Sequence, residues 1–236
     1  MKNIISVRNI TKLFYNNKAV NDLSLEIAEG EIYGLLGHNG AGKSTTINIL
    51  LGFLQPDSGT ATVNNIDISS DYKVARKSIG YISENVSLYP YLTGLENLDY
   101  FCKLSGKNIS QNMLGDLLNE CGLENEVHQN RTETYSKGMR QKVGIAIALA
   151  KDAKVYLLDE PASGLDPLAS NELSSLLKKL ASHGAAILMA SHDIFRVRET
   201  CNRIGIIKKG ELVKGMNTSD VSTNELENIY IDYIQN

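Results

Sequence analysis

The stretch "GHNGAGKST", Gly37 to Thr45, follows a short apolar run and leads into a segment with helical spacing. It fits the pattern G-x-x-x-x-G-K-[ST], with Gly37, Gly42, Lys43 and Ser44 at the fixed positions. A loop that wraps backbone N–H groups around phosphate oxygens needs φ values that glycine adopts at low cost. The helix that follows aims its positive end at the same anion. The pattern therefore assigns Gly37, His38, Asn39, Gly40, Ala41, Gly42, Lys43, Ser44 and Thr45 to a phosphate cradle. Lys43 would meet the β- and γ-phosphates, and the Ser44 hydroxyl would hold Mg²⁺.

Working outward, "VYLLDEP" (155–161) and "AAILMASHD" (185–193) are continuously apolar and end in polar residues. Such runs predict strands covered on both faces, and in open parallel sheets ligands bind at the carboxyl edge. Asp159 and Glu160 leave that edge as neighbours, and period-2 alternation sends them in different directions. One carboxylate can support Mg²⁺ and the other can polarise an attacking water. His192 ends the other strand, where its imidazole could hydrogen-bond a γ-phosphate. Short strands fill the first 36 residues, and the helix after Gly37 is expected to run to Gln55-Pro56. Residues 85 to 130 read as mostly helical, and "SKGMRQKVGIAIALAKDA" as a further helix. The chain closes with a hairpin, "RIGIIKKGELVKG", and the short helix "NELENIYIDYI". The expected fold is α/β, with a helical insertion near the middle.

The 236 residues suffice for a sizeable core, and a formal net charge of −3 provides no basic field for nucleic acid. The three scattered cysteines, Cys102, Cys121 and Cys201, form no C-x-x-C pair and suggest a reducing compartment. "MKNIISVRNITK" lacks the apolar region of a signal peptide. The longest apolar runs fall far short of the roughly 20 residues that span a bilayer. A cytoplasmic protein is expected, reaching any membrane through a partner.

With five further elements in place, the sequence resembles the ATPase subunits of ABC transporters along nearly its whole length. "YSKGMRQ" (135–141) stands at the signature, "SGLDP" (163–167) at the D-loop, and "SHD" (191–193) at the switch histidine. "IGYISEN" (79–85) stands at the Q-loop, and Phe14-Tyr15 at the aromatic that stacks on adenine. The resemblance implies a single cassette, residues 1–236, on a P-loop NTPase core with a mostly parallel sheet. It adds an N-terminal antiparallel β subdomain and an α-helical subdomain inserted at about 85–135. Phe14, by its spacing from Gly37, is chosen to stack the base, with Tyr15 in reserve and core packing as the alternative. Glu160 becomes the general base, Asp159 the Mg²⁺-supporting carboxylate, and His192 and Lys43 the remaining catalytic groups.

The same resemblance implies a head-to-tail dimer around two ATPs, formed with a second copy of the chain or a related ATPase subunit. Ser136, Gly138, Gln141 and Asp166 would serve the partner's nucleotide. Gly138 would let backbone approach the γ-phosphate at the positive end of a helix. A separate transmembrane permease would dock around Glu84 to Leu98, placing the chain on the inner face of the membrane. Two residues depart from the family pattern. Glu84 replaces the usual Gln, keeping an oxygen for Mg²⁺, and Lys137 replaces the usual Gly and is read mainly as facing solvent. Glu84 and the "YSKGMRQ" wording resemble the branch of drug, bacteriocin and polysaccharide exporters, so export is expected. With 44 residues after His192 (193–236), the extra regulatory domain of many sugar importers is not expected. A soluble ATPase acting on DNA or ribosomes is a rival, disfavoured by the net charge and the single cassette. A low-turnover switch in peptide-antibiotic immunity is another, disfavoured by the intact Glu160 and His192.

Overall fold

The two continuously apolar runs become adjacent central strands of one sheet, as burial of both their faces requires. The computed structural model describes residues 2–235; Met1 and Asn236, the ends of the expected 1–236 cassette, lie outside the described residues. In chain order the strands are β1 (Asn3–Phe14), β2 (Asn17–Ala28), β3 (Ile32–Leu36), β4 (Ser58–Val63), β5 (Ile66–Asp67), β6 (Ile79–Ile82), β7 (Val155–Asp159), β8 (Ala186–Ser191), β9 (Arg203–Lys208) and β10 (Glu211–Asn217). The helices are α1 (Lys43–Leu50), α2 (Ile68–Ala75), α3 (Gly94–Leu104), α4 (Gln111–Glu120), α5 (Lys137–Ala150), α6 (Pro167–Ser182), α7 (Ile194–Thr200) and α8 (Thr223–Gln235).

The larger sheet has the order β10-β9-β3-β8-β7-β6. It is parallel except for the β9–β10 hairpin. The smaller sheet, β2-β1-β4-β5, is antiparallel. Alternation along β7 divides the interior. Val155 and Leu157 enter the core shared with the antiparallel sheet and α1, while Tyr156 and Leu158 enter the core beneath α3, α4, α5 and α6. Each such aliphatic side chain contributes about 1.5–3 kcal/mol when fully buried.

Two helix boundaries differ from the expectation. The first helix ends at Leu50 rather than near Gln55, because Gly52 turns left-handed (φ 64°) and the Phe53 N–H bonds back to Asn48 O at 2.9 Å. Helix α2, which no strong periodicity announces, starts from an Asp67 side-chain cap on Ser69 N–H (2.7 Å) and is kinked at Asp71. The helical insertion lies between β6 and β7, with α3 held by a Thr93–Glu96 capping box.

The parallel register carries the ends of β3, β7 and β8 to one edge. Leu36 pairs with Ser191, Asp159 pairs with Ala190, and Gly37 N–H donates to Ser191 O at 3.2 Å. The phosphate loop, the two carboxylates and His192 thereby meet.

Candidate functional site

The loop after β3 folds around its own lysine. Lys43 is buried, and its ammonium donates to Gly37 O (2.6 Å) and His38 O (3.2 Å) and lies 3.3 Å from Glu160 Oε1. Gly42 takes φ 112°, and a Cβ there would lie 2.4 Å from Ala19 O, so conformation and space both require glycine. The loop, Asn17, Ala19, Glu84 and Glu160 enclose a cavity of about 300 Å³. A Cβ on Gly40, by contrast, would meet open space.

The two carboxylates separate as their adjacency predicts. Glu160 steps off β7 with φ 48°, a left-handed conformation that costs a side-chain-bearing residue about 1–3 kcal/mol. Its N–H is held by Ala190 O at 2.9 Å. The turn sends Glu160 Oε2 to the Ser191 hydroxyl (3.2 Å) and to His192 Nδ1 (2.9 Å). Nδ1–H donation to Glu160 fixes the ring and leaves Nε2 free for a second partner. Asp159 is directed to Ser44 instead. Burial pushes the Asp159 carboxyl above the usual carboxylate range, against the pull of the Ser44 hydroxyl, with Glu160 pushing further the same way.

Asp159 Oδ1 is buried and lacks a hydrogen-bond partner, while Glu160 Oε1 is buried with only the Lys43 ammonium beside it. An unpaired buried carboxylate oxygen next to the Ser44 hydroxyl suits Mg²⁺. Among the described residues, no three or more His, Cys, Asp or Glu side chains converge as a metal site. A cation held by Ser44 and Asp159 would draw other ligands from phosphate and water, as Mg²⁺ commonly does. The donor set fits the ion.

The raised Asp159 pKa predicts a stability cost with a definite sign. The folded state favours the neutral acid, so the penalty is absent below the unfolded pKa of 3.8 and grows as pH rises through the folded value. Asp159→Asn is expected to melt higher than the wild type at pH 7, with the gain vanishing toward pH 4. The same variant should lose Mg²⁺-dependent hydrolysis. Thermal melts across pH check the first outcome, and an ATPase assay the second.

The remaining sequence-assigned residues fall into distinct places. Phe14 is half-exposed at the end of β1, opposite Asn17 in the hairpin, with the Lys12 ammonium 5.8 Å from its ring centroid. It does not line the cavity, and Tyr15 points fully into solvent from a left-handed turn. Ser136 caps α5 by accepting from Met139 N–H at 3.2 Å. Ser136, Gly138 and Asp166 are outside the lining of the chain's own cavity. A Cβ on Gly138 would meet only ordinary contacts, Gly164 O at 3.4 Å and Leu165 Cδ2 at 3.6 Å. Asp166 caps α6 through Ala169 N–H (2.9 Å), which holds its carboxyl below the usual range. Gln141 turns inward. It is buried, and its amide donates to Ser83 O (3.3 Å) and Pro161 O (3.2 Å), joining the residues beside Glu84 and Glu160.

Asn17 and Ala19 also belong to the cavity wall, although a hairpin 20 residues upstream of the loop carries no phosphate-binding signal of its own in the sequence. A larger cleft, about 700 Å³, lies beside β9 and β10 and includes Tyr33, Arg203, Leu212 and Met216. It lacks a phosphate loop, so the smaller cavity is the functional candidate.

Comparison with known proteins agrees with this geometry. The sequence profile described as ABC transporter matches residues 20–163. The uncharacterized ABC transporter ATP-binding protein YhcH of Bacillus subtilis is 36% identical over 236 residues, covering 100% of this chain and 77% of that protein. The bacitracin transport ATP-binding protein BcrA of Enterococcus faecalis is 34% identical over 222 residues, 94% of this chain and 71% of that protein. Among solved structures, the dimeric post-hydrolysis ATP-binding cassette MJ0796, bound to ADP and Pi, superposes with a TM-score of 0.83. It is 28% identical, and the match covers 91% of this chain and 98% of that one.

Proposed function

This chain belongs to the ABC transporter family as an ATP-binding, ATP-hydrolysing subunit, and from that premise we propose that two copies close head to tail around two ATPs to drive a separate membrane permease. The observation that carries the proposal is the division of the site. The phosphate loop, Glu84, Asp159, Glu160 and His192 gather at one sheet edge, whereas the capped start of α5 stands outside that cavity with its glycine unobstructed. A helix start that lies outside the chain's own phosphate cavity and carries a glycine in its first turn is suited to a phosphate held by another chain.

In hydrolysis, Lys43 and the loop N–H groups bind the β- and γ-phosphates. Both the phosphates and Glu160 are anionic, so phosphate binding draws the Lys43 ammonium from Glu160 and leaves that carboxylate for water. Glu160 then takes the water's proton, oriented by Ser191 and His192. Mg²⁺, held by Ser44 and Asp159 with Glu84 at the cavity wall, would neutralise developing phosphate charge. Phe14 stacks on the adenine.

The permease docks on the helical insertion beside Glu84. There Tyr100 packs edge-on against both Tyr89, at 4.9 Å between centroids, and Phe101, at 5.4 Å. Nearby, Phe53 and Leu104 edge an apolar groove of about 330 Å³. Among the described residues no helix is long and apolar enough to cross a membrane. Similarity to a bacitracin transport protein supports an antimicrobial peptide as the class of cargo, and export is proposed as the direction. Affinity purification from solubilised membranes is expected to recover a polytopic membrane protein, and Phe53→Asp with Tyr89→Ala is expected to lose it. Recovery of nucleic acid or ribosomes instead would overturn the permease reading.

A further inference from the structure

Lys137, which stands where the family has glycine, is exposed yet makes a specific contact. Its ammonium donates to the Ser163 hydroxyl at 3.0 Å. Its methylene chain covers Gly164, where a Cβ would lie 2.8 Å from Lys137 Cδ, and Gly164 has φ 82°. The start of α5 and the 163–166 segment are therefore in direct packing contact.

That segment is the continuation of the Glu160 turn. Ser163 N–H donates to Glu160 O at 3.0 Å, Leu165 N–H to Ala162 O at 3.1 Å, and Asp166 then caps α6. The backbone from the catalytic carboxylate to α6 is a string of tight turns, and the Lys137–Ser163 bond connects this string to α5. Because Glu160 holds a left-handed φ, its surroundings must over-determine its position. A bond two turns downstream contributes to that restraint.

We propose that Lys137 is a positioning residue that ties the start of α5 to the turn behind Glu160 and so fixes the general base. The proposal rests on the ATPase reading of Glu160. In the closed dimer, the same tie relates the helix offered to the partner's nucleotide to the base of the chain's own site. An ammonium here does what glycine cannot, since only a long side chain reaches Ser163.

The test is a double-mutant cycle on the full chain, with ATPase kinetics and thermal melts of Lys137→Ala, Ser163→Ala, the double variant and Lys137→Arg. Each alanine variant is expected to lower kcat about three- to ten-fold, the range of one ordinary hydrogen bond, with KM for ATP unchanged. The double variant should be no slower than the slower single, and Lys137→Arg should retain most of the activity because its guanidinium reaches the same hydroxyl. Unchanged kcat in either single variant, multiplying losses in the double, a raised KM at constant kcat, or a fall in melting temperature that accounts for the loss would overturn the proposal. Absence of hydrolysis by the wild-type chain would instead fault the ATPase reading itself.

Discussion

Glu160→Gln is expected to lower ATP turnover by about 10²–10⁴-fold, the usual share of a general base, while ATP still binds. Glutamine keeps the shape and can accept from the Ser191 hydroxyl and the His192 ring, the two groups that hold Oε2. It cannot take a proton from water at neutral pH. Binding survives because Lys43 retains Gly37 O and His38 O and loses only its carboxylate neighbour. Without that neighbour the ammonium belongs wholly to the phosphates. The proper readouts are single-turnover hydrolysis and nucleotide binding measured on the same preparation. Near wild-type turnover would remove Glu160 from the role of base.

Gly138→Asp is expected to abolish hydrolysis to a similar extent by a different route. Within the chain, a Cβ at position 138 meets only ordinary contacts. An acidic residue in the first turn of α5 also complements the helix dipole, so the fold should not suffer. The phosphate loop is untouched, and a single chain should bind ATP as before. What changes is the surface offered to the partner: bulk blocks close backbone approach, and a carboxylate repels the γ-phosphate. Retained ATP binding together with lost turnover would identify the deficit as one of closure. Full activity in this variant would mean that α5 does not meet a nucleotide.

The central sheet and phosphate loop were legible because their signals are local. Continuous apolarity in 155–158 and 185–190 reported burial on both faces, and the spacing of Gly37, Gly42, Lys43 and Ser44 reported a loop geometry. The adjacency of Asp159 and Glu160 even predicted that they would separate, since alternation is a property of strands. Other features depended on partners distant in sequence. Lys137 read as a solvent-facing charge, yet its partner is 26 positions away in a turn whose path only the fold defines. Gln141 reads as a nucleotide contact from the signature alone, and its further role as a tie between Ser83 and Pro161, at two different strand ends, depends on the fold. Asn17 and Ala19 reach the cavity through the long β1–β2 hairpin, which no loop motif marks. Helix α6 carries a good Asp166 cap with Pro167 at its first turn and could have been read from those two residues.

The account turns on a site that is complete only when a second chain supplies α5. The most direct measurement is the solution mass of the Glu160→Gln chain at saturating ATP and Mg²⁺, with and without Gly138→Asp. A stable dimer of Glu160→Gln in ATP, reverting to monomer in ADP and in the Gly138→Asp background, is the predicted result. A chain that binds ATP at every concentration tested and stays monomeric, or a dimer indifferent to Gly138→Asp, would contradict it.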